Sequence, residues 1–267
     1  MSRQLEPYQL IERSIQKKFH KVLWTPFITA IKQYELIAPG DRIAVCISGG
    51  KDSMLMAKLL QLLQRHSDVP FEVVNLVMDP GYNAVNRQKI ESNAALLHIP
   101  VTIFETNIFD VTSGIEQSPC YLCARMRRGY LYSKARELGC NKIALGHHYD
   151  DAVETFMMNL LNEGRIGCFS PVTHLARCGL VQIRPMVMAP EKEVIRAARR
   201  LDLNVVKSKC PADGHTSRQR TKELLAELEK TNKGVTERIF GAMRRGKIDG
   251  WAGKSFENYE NNIKDKE

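Results

Sequence analysis

Apolar residues recur at helical spacing through residues 5–35, at Leu10, Ile11, Ile15, Phe19, Val22 and Leu23, which predicts a helical opening to the chain. Pro26 is expected to kink or restart that helix. The turn Ala38-Pro39-Gly40-Asp41 leads into Arg42–Ile47, a short apolar run fit for a buried parallel strand. From there the pattern alternates. Further strands are predicted at Phe71–Met78, Val101–Thr106, Lys142–Gly146 and Val181–Arg184. Helices are predicted at Ser53–Arg65, Ala84–Leu97, Cys123–Leu138, Asp151–Leu161 and Glu191–Leu201. This alternation implies an α/β fold, a doubly wound parallel sheet with helices on both faces, whose ligands sit outside the C-terminal strand ends. Beyond Leu203, Thr221–Lys230 and Val235–Met243 read as helices, followed by a polar end. The expected organisation is an N-terminal helical extension (1–36), an α/β domain (37–205), a basic helical segment (206–250) and a polar tail (251–267).

Composition narrows the class. The 267 residues are 43% hydrophobic and 26% charged, which excludes a disordered, collagen-like or disulfide-dense chain. No apolar run approaches the roughly 20 residues that cross a bilayer. The first residues also lack the apolar stretch and cleavage site of a secretory leader, so a cytoplasmic protein with no membrane partner is expected. The net charge of +9 fits an RNA, DNA or phosphorylated partner, or simply a basic soluble surface. Residues 181–250 hold 16 Lys/Arg against 9 Asp/Glu, so the excess is concentrated towards the C-terminus.

The sharpest chemical signal is Ser48-Gly49-Gly50-Lys51-Asp52-Ser53, directly after a strand and opening a helix. Two glycines allow a tight turn and a close approach to a ligand. The free N–H groups of the following helix then favour an anion. Lys51 adds a charged donor and Ser48 and Ser53 add hydroxyls. Asp52 beside phosphates makes sense as the holder of a cation such as magnesium. The spacing is neither that of a Walker A loop nor the dinucleotide fingerprint. It resembles the PP-loop ATP pyrophosphatases, whose signature is SGGxDS. That resemblance implies cleavage of ATP to AMP and pyrophosphate, with adenylation of an oxygen.

The seven cysteines are spread along a chain expected in a reducing compartment, so grouped ones point to metal or catalysis. Pro119-Cys120-Tyr121-Leu122-Cys123 precedes a helix carrying Arg125, Arg127 and Arg128. A Cys-x-x-Cys can be a redox pair, half of a zinc site or half of an iron–sulfur site, and the spacing does not choose. Cys210, in Lys209-Cys210-Pro211-Ala212-Asp213-Gly214-His215, is the natural third ligand. Three cysteines suit a 4Fe–4S cluster with one open iron, while His215 could instead complete a Cys3His zinc site. Cys46 and Cys140 read as small buried hydrophobes; Cys168 and Cys178 read as loop residues.

Pro-Cys-x-x-Cys-x-x-x-Arg-Arg-Gly at 119–129, Ala144-Leu145-Gly146-His147-His148, Asp150-Asp151, Ile183-Arg184-Pro185 and Cys210 together resemble the tRNA 2-thiocytidine synthetases (TtcA) and their relatives, from about residue 20 to 247. The resemblance implies a 4Fe–4S cluster on Cys120, Cys123 and Cys210, beside an ATP site. It also implies adenylation of the C2 oxygen of an anticodon-loop cytidine, then replacement of that oxygen by sulfur. Gly146 and Asp151 would approach the nucleotide, with Asp151 catalytic, and Asp79 would lie against the adenosine. The bland alternatives are a helix N-cap for Asp150 or Asp151 and a turn for Asp79. Arg127 could meet phosphate or the substrate oxyanion. One departure is Asp213, which stands where the family often has a further cysteine.

The expected function is therefore an ATP- and magnesium-dependent tRNA sulfurtransferase. Its expected partners are tRNA and a sulfur donor, either sulfide or a cysteine desulfurase system, and the family implies a homodimer. The catalytic set is Asp151, Lys51, Cys120, Cys123 and Cys210. Lys17, Lys18, Lys21, Arg196, Arg199, Arg200, Lys207, Lys209, Arg218 and Arg220 are the candidates for tRNA phosphates. Two alternatives stand beside it: a zinc-containing PP-loop enzyme adenylating a small molecule, and a non-catalytic RNA-binding or cluster-carrying protein.

Overall fold

The computed structural model describes residues 5–113, 119–206 and 217–253, with the side chains of 110, 112, 113 and 119–121 outside that description. Its strands are β1 (Arg42–Ile47), β2 (Glu72–Asp79), β3 (Thr102–Glu105), β4 (Lys142–Ala144), β5 (Val172–Leu175) and β6 (Leu180–Ile183). Its helices are α1 (Pro7–Lys17), α2 (Thr25–Gln33), α3 (Lys51–His66), α4 (Ala84–Leu97), α5 (Ile108–Ser113), α6 (Pro119–Glu137), α7 (Tyr149–Glu163), α8 (Glu191–Arg200), α9 (Ser217–Thr231) and α10 (Val235–Arg245).

The strands form one sheet in the order β3-β2-β1-β4-β6-β5. The pairs β1–β2, β2–β3, β1–β4 and β4–β6 are parallel. The chain builds outwards from β1 to β3, then returns to the other side of β1 with β4. The loops after β1 and β4 therefore part company, which is the switch point where open α/β sheets bind ligands. The sheet is not wholly parallel as expected: β5 is an antiparallel edge hairpin with β6, in a stretch read as loop. Its four residues are too few and too half-buried to announce a strand by period. The loop residue Cys178 is in the turn of that hairpin.

Pro26 does not kink a helix. A π-helical turn, His20–Trp24, absorbs the break, and Pro26 sits in the first turn of α2, where its missing N–H costs nothing. The helical extension, the sheet and the C-terminal helices share one core, from Ile15, Leu23 and Phe27 to Phe240, Met243 and Trp251. Trp251 is fully buried, donates from Nε1 to the Phe169 carbonyl at 2.8 Å, and accepts from the Tyr34 hydroxyl at 2.9 Å. Ala252, like Trp251 within the expected polar tail, is also buried.

Lys58 fixes the extension to this core. Its buried ammonium donates to Glu12 Oε1 at 2.7 Å, Gln61 Oε1 at 2.8 Å and the Leu97 carbonyl at 2.7 Å, joining α1, α3 and α4. Burial lowers the pKa of Lys58, whereas burial of Glu12 is outweighed by Arg65 and Lys58, which hold its carboxyl below the usual range. Lys58→Ala strands the Leu97 carbonyl and leaves Glu12 to Arg65 alone. We expect a loss of about 3–5 kcal/mol in urea unfolding, largely recovered in Lys58→Met/Glu12→Gln, which removes both charges.

Candidate active site

The loop Ser48–Gly50 leaves β1 and enters α3. Gly49 adopts φ +78°, and a Cβ there would lie 2.7 Å from Val206 Cγ2 and 2.8 Å from Ile90 Cγ1, so only glycine fits. The two serine hydroxyls shape the loop. Ser53 Oγ accepts from Ser48 N at 3.1 Å, donates to the Gly50 carbonyl at 3.1 Å and lies 3.2 Å from Ser48 Oγ. Gly50 brings no side-chain cap, which leaves the first-turn N–H groups of α3 to a ligand. Lys51 Nζ lies 3.1 Å from Asp52 Oδ2 and 3.2 Å from Glu191 Oε1. Burial opposes its charge, but these two carboxylates outweigh it and hold the ammonium above its ordinary range.

The turn after β4 closes on this loop. A Cβ at Gly146 would come within 3.1 Å of Ser53 N and 3.2 Å of the Asp52 carbonyl carbon. His147 follows, its ring 5.0 Å from Phe169. Burial lowers its pKa to about 4, with the Arg184 guanidinium adding to the shift, so at neutral pH it is an uncharged imidazole. His148, not an aspartate as expected, is the N-cap of α7. Its Nδ1 accepts from Asp151 N at 3.3 Å and its own N–H donates to Asp151 Oδ2 at 2.9 Å. Asp150 caps a different helix, accepting from Glu191 N of α8 at 2.6 Å.

Between these turns lies a cavity of about 270 Å³ lined by Ser48, Asp52, Tyr82, Arg127, Gly146 and His147, among others. Three buried polar atoms at it lack hydrogen-bond partners: Asp52 Oδ1, Arg127 Nε and His147 Nδ1. Unpaired buried groups are costly, so a site that carries an acceptor, a cationic donor and an imidazole unmatched is set for a ligand. A free carboxylate oxygen next to anion-binding amides suits a magnesium ion bound with phosphate.

The PP-loop domain family model matches residues 11–228. The tRNA-cytidine(32) 2-sulfurtransferase of Citrifermentans bemidjiense is 39% identical over 220 residues, 80% of this chain and 86% of that protein. Its counterpart in Geobacter sulfurreducens is 37% identical over 219 residues, 80% and 85% of the two chains. The chain belongs to the PP-loop family, with these sulfurtransferases among its relatives. The solved U34-tRNA thiolase NcsA of Methanococcus maripaludis with its 4Fe–4S cluster is similar at TM-score 0.65 and 25% identity, covering 80% of this chain and 75% of that one.

The cysteines relate to the PP-loop through α6. Cys123, Arg127 and Leu131 recur every four residues along one helical face, and Arg127 and Leu131 line the cavity. The free thiol of Cys123, half-buried, thus lies one turn from the cavity wall, as a ligand serving that space requires. Cys120 falls in the first turn of α6 with its side chain outside the described residues, as are Cys210, Lys207 and Lys209 altogether. The other cysteines have structural surroundings. Cys168 donates to the Ala152 carbonyl at 3.3 Å and Cys178 to the Leu175 carbonyl at 3.5 Å, while burial pushes Cys46 up to about 12. Asp79 makes the turn: its Oδ1 accepts from Gly81 N at 2.9 Å and Tyr82 N at 2.6 Å, and this turn aims Tyr82 at the cavity.

Sequence reasoning predicted α9 from Thr221 onwards but missed that its first turns brace the PP-loop. Arg218, expected on the tRNA surface, instead donates to Asp151 Oδ1 at 3.1 Å, Glu154 Oε2 at 3.2 Å and Thr155 Oγ1 at 3.0 Å. One turn on, Lys222 donates to Glu191 Oε2 at 2.6 Å, and the other oxygen of Glu191 faces Lys51. Only the Arg-x-x-x-Lys spacing of Arg218 and Lys222 on α9 hinted at this, and its partners lie 31 to 67 residues away.

His147 gives a pH prediction. Its folded pKa is depressed, so its contribution to stability is complete above the unfolded value near 6.5 and is lost as pH falls towards about 4. Urea unfolding of the parent and of His147→Gln should diverge on acidification, the parent losing up to about 3 kcal/mol more by pH 4.

Proposed function

We propose that the protein is an ATP-dependent tRNA sulfurtransferase that adenylates the C2 oxygen of an anticodon-loop cytidine and exchanges it for sulfur. The observation that carries this reading is the meeting of the phosphate loop, Gly146 and Arg127 around one cavity, with Cys123 a helical turn from its wall. The named relatives are tRNA-cytidine(32) 2-sulfurtransferases, and the similar U34-tRNA thiolase was solved with its 4Fe–4S cluster.

The geometry around the cavity supports a role for each residue there. Lys51 and the first-turn amides of α3 hold phosphate, and the free oxygen of Asp52 holds magnesium. The target base leaves its stack, as a single-stranded loop allows at low cost. Its C2 oxygen attacks the α-phosphorus of ATP and pyrophosphate leaves. Sulfide then attacks C2, and AMP departs with the original oxygen. Arg127 steadies the charge gathered on the reacting oxygens. Asp151, held in place by His148 N–H and Arg218, receives the proton released at this rim. Cys120, Cys123 and Cys210 would hold a 4Fe–4S cluster, which would supply an iron to bind sulfide. Sulfide comes free or from a cysteine desulfurase, and the working form is a homodimer.

Anaerobic protein given ATP, magnesium, sulfide and a tRNA transcript should form 2-thiocytidine with one pyrophosphate per thiolation. It should be brown, with about four irons per chain. Lys51→Ala and Cys123→Ser should abolish the product. Pyrophosphate release without tRNA dependence, or one zinc in a colourless protein after reconstitution, sinks the reading.

Arg218→Gln should lower turnover about 100-fold by loosening Asp151, while the KM for ATP moves far less. A steady-state comparison with Arg218→Lys, which regains part of the rate, checks it.

A further inference from the structure

α8 begins at the active site, where Glu191 meets Lys51 and Asp150, and ends about 14 Å away at Arg200. Along it Lys192, Arg196 and Arg200 recur every four residues and so share one face, and all three are exposed. The guanidinium of Arg196 lies 5.3 Å from the ring of Phe19, which ties this face to the end of α1 and to the π-helical turn. Lys192 and Lys21 line a cavity of about 470 Å³ that reaches Tyr149 and Asp150 of the active-site helix. Arg200, Lys17 and Lys18 line a groove of about 580 Å³ between α1 and α8, together with Arg13 and with Asp202 as its one acidic side chain.

Among the described residues, Lys17, Lys18, Lys21, Lys192 and Arg200 form no ion pair, whereas the active-site cations Lys51, Arg218 and Lys222 are all paired. Arg196 has only the neighbouring Glu193, at 3.0 Å. The acidic residues of the first cavity are largely engaged: Asp150 caps α8, and Glu229 accepts from Gly234 N and Thr236. The backing is rigid, because α1 is pinned through Glu12 to the buried Lys58.

Resting on the tRNA reading above, we propose that this track of Lys17, Lys18, Lys21, Lys192, Arg196 and Arg200 holds the sugar–phosphate backbone of the tRNA and leads its target loop to the ATP site. Unpaired cations in a row that starts at the reacting centre suit a polyanion whose one loop must enter that centre. Some of these cations also sit in last helical turns, Lys17 in α1 and Arg200 in α8, where they complement the helix dipoles. That role alone predicts lower thermal stability and unchanged RNA affinity.

The test is filter binding of an unmodified tRNA transcript across a potassium chloride series. It compares the parent, Lys192→Gln/Arg196→Gln/Arg200→Gln, and Lys134→Gln/Lys230→Gln/Lys233→Gln as an equal charge change elsewhere. The track variant should bind about tenfold more weakly or worse, with a salt slope shallower by about 2, and with ATP binding and melting temperature held. Unchanged affinity and slope overturn the proposal, as does an equal loss in the control variant. Track-dependent binding to phosphatidylglycerol vesicles in place of RNA also overturns it. A parent that binds no tRNA sinks the sulfurtransferase reading as well, whereas a parent that binds tRNA through other residues sinks the track alone.

Discussion

The turn after β4 runs so close to the first turn of α3 that position 146 has no room for a side chain: its Cβ would sit 3.1 Å from a backbone nitrogen. This contact sets the rest of the site. It exists because β4 pairs with β1 in parallel while the chain's other connections leave β1 in the opposite direction. A parallel pair at a switch point delivers two loops to the same rim, and backbone packing between them fixes their separation to a fraction of an ångström. His147, the His148 cap and Asp151 follow from Gly146 in a rigid sequence, so the carboxylate that ends this run is placed by strand register rather than by a flexible loop.

Electrostatics then acts on that frame. Lys51, Asp52, Glu191 and Lys222 form a chain of alternating charge in half-buried surroundings, with His148 Nε2 3.7 Å from Glu191 Oε1. Pairing holds Lys51, Glu191 and Lys222 ionised despite burial, which keeps an ammonium charged where phosphate is expected. On the role proposed for Lys51, an arriving phosphate would take it over from Glu191, and Lys222 would keep Glu191 paired. The binding site is thus ready-charged, and the swap of partners costs less than burying a new charge would.

The parallel strands and the phosphate loop were legible because they depend on local signals: apolar runs of strand length and a glycine-rich break before a helix. The antiparallel edge β5 was not, since Val172–Leu175 is short and half-buried and its pairing is decided by the neighbour it meets. Assigning the α7 cap to an aspartate failed for a similar reason. Both aspartates are good caps by type, but the turn after Gly146 puts His148 at the cap, where its Nδ1 reaches the Asp151 amide. Arg218 looked like a surface cation because its composition context is basic, and nothing local reveals partners 63 to 67 residues earlier. Trp251 looked like the start of a tail for the same reason; its slot is built by Tyr34, Phe169 and Phe240.

The position of α6 explains why one helix carries both the Cys-x-x-Cys and the arginine of the cavity. Exchange of oxygen for sulfur at one carbon requires the activating phosphate and the incoming sulfur to reach the same atom. Two groups on separate mobile loops could not keep that distance. Residues four apart on one helix differ by one turn, about 6 Å along the axis, and the helix holds the offset. Arg127 lines the cavity and Cys123 stands one turn nearer the N-terminus of the helix. The spacing that sequence alone could not assign to metal or redox chemistry thus has one member, Cys123, a helical turn from the cavity that the phosphate loop also faces.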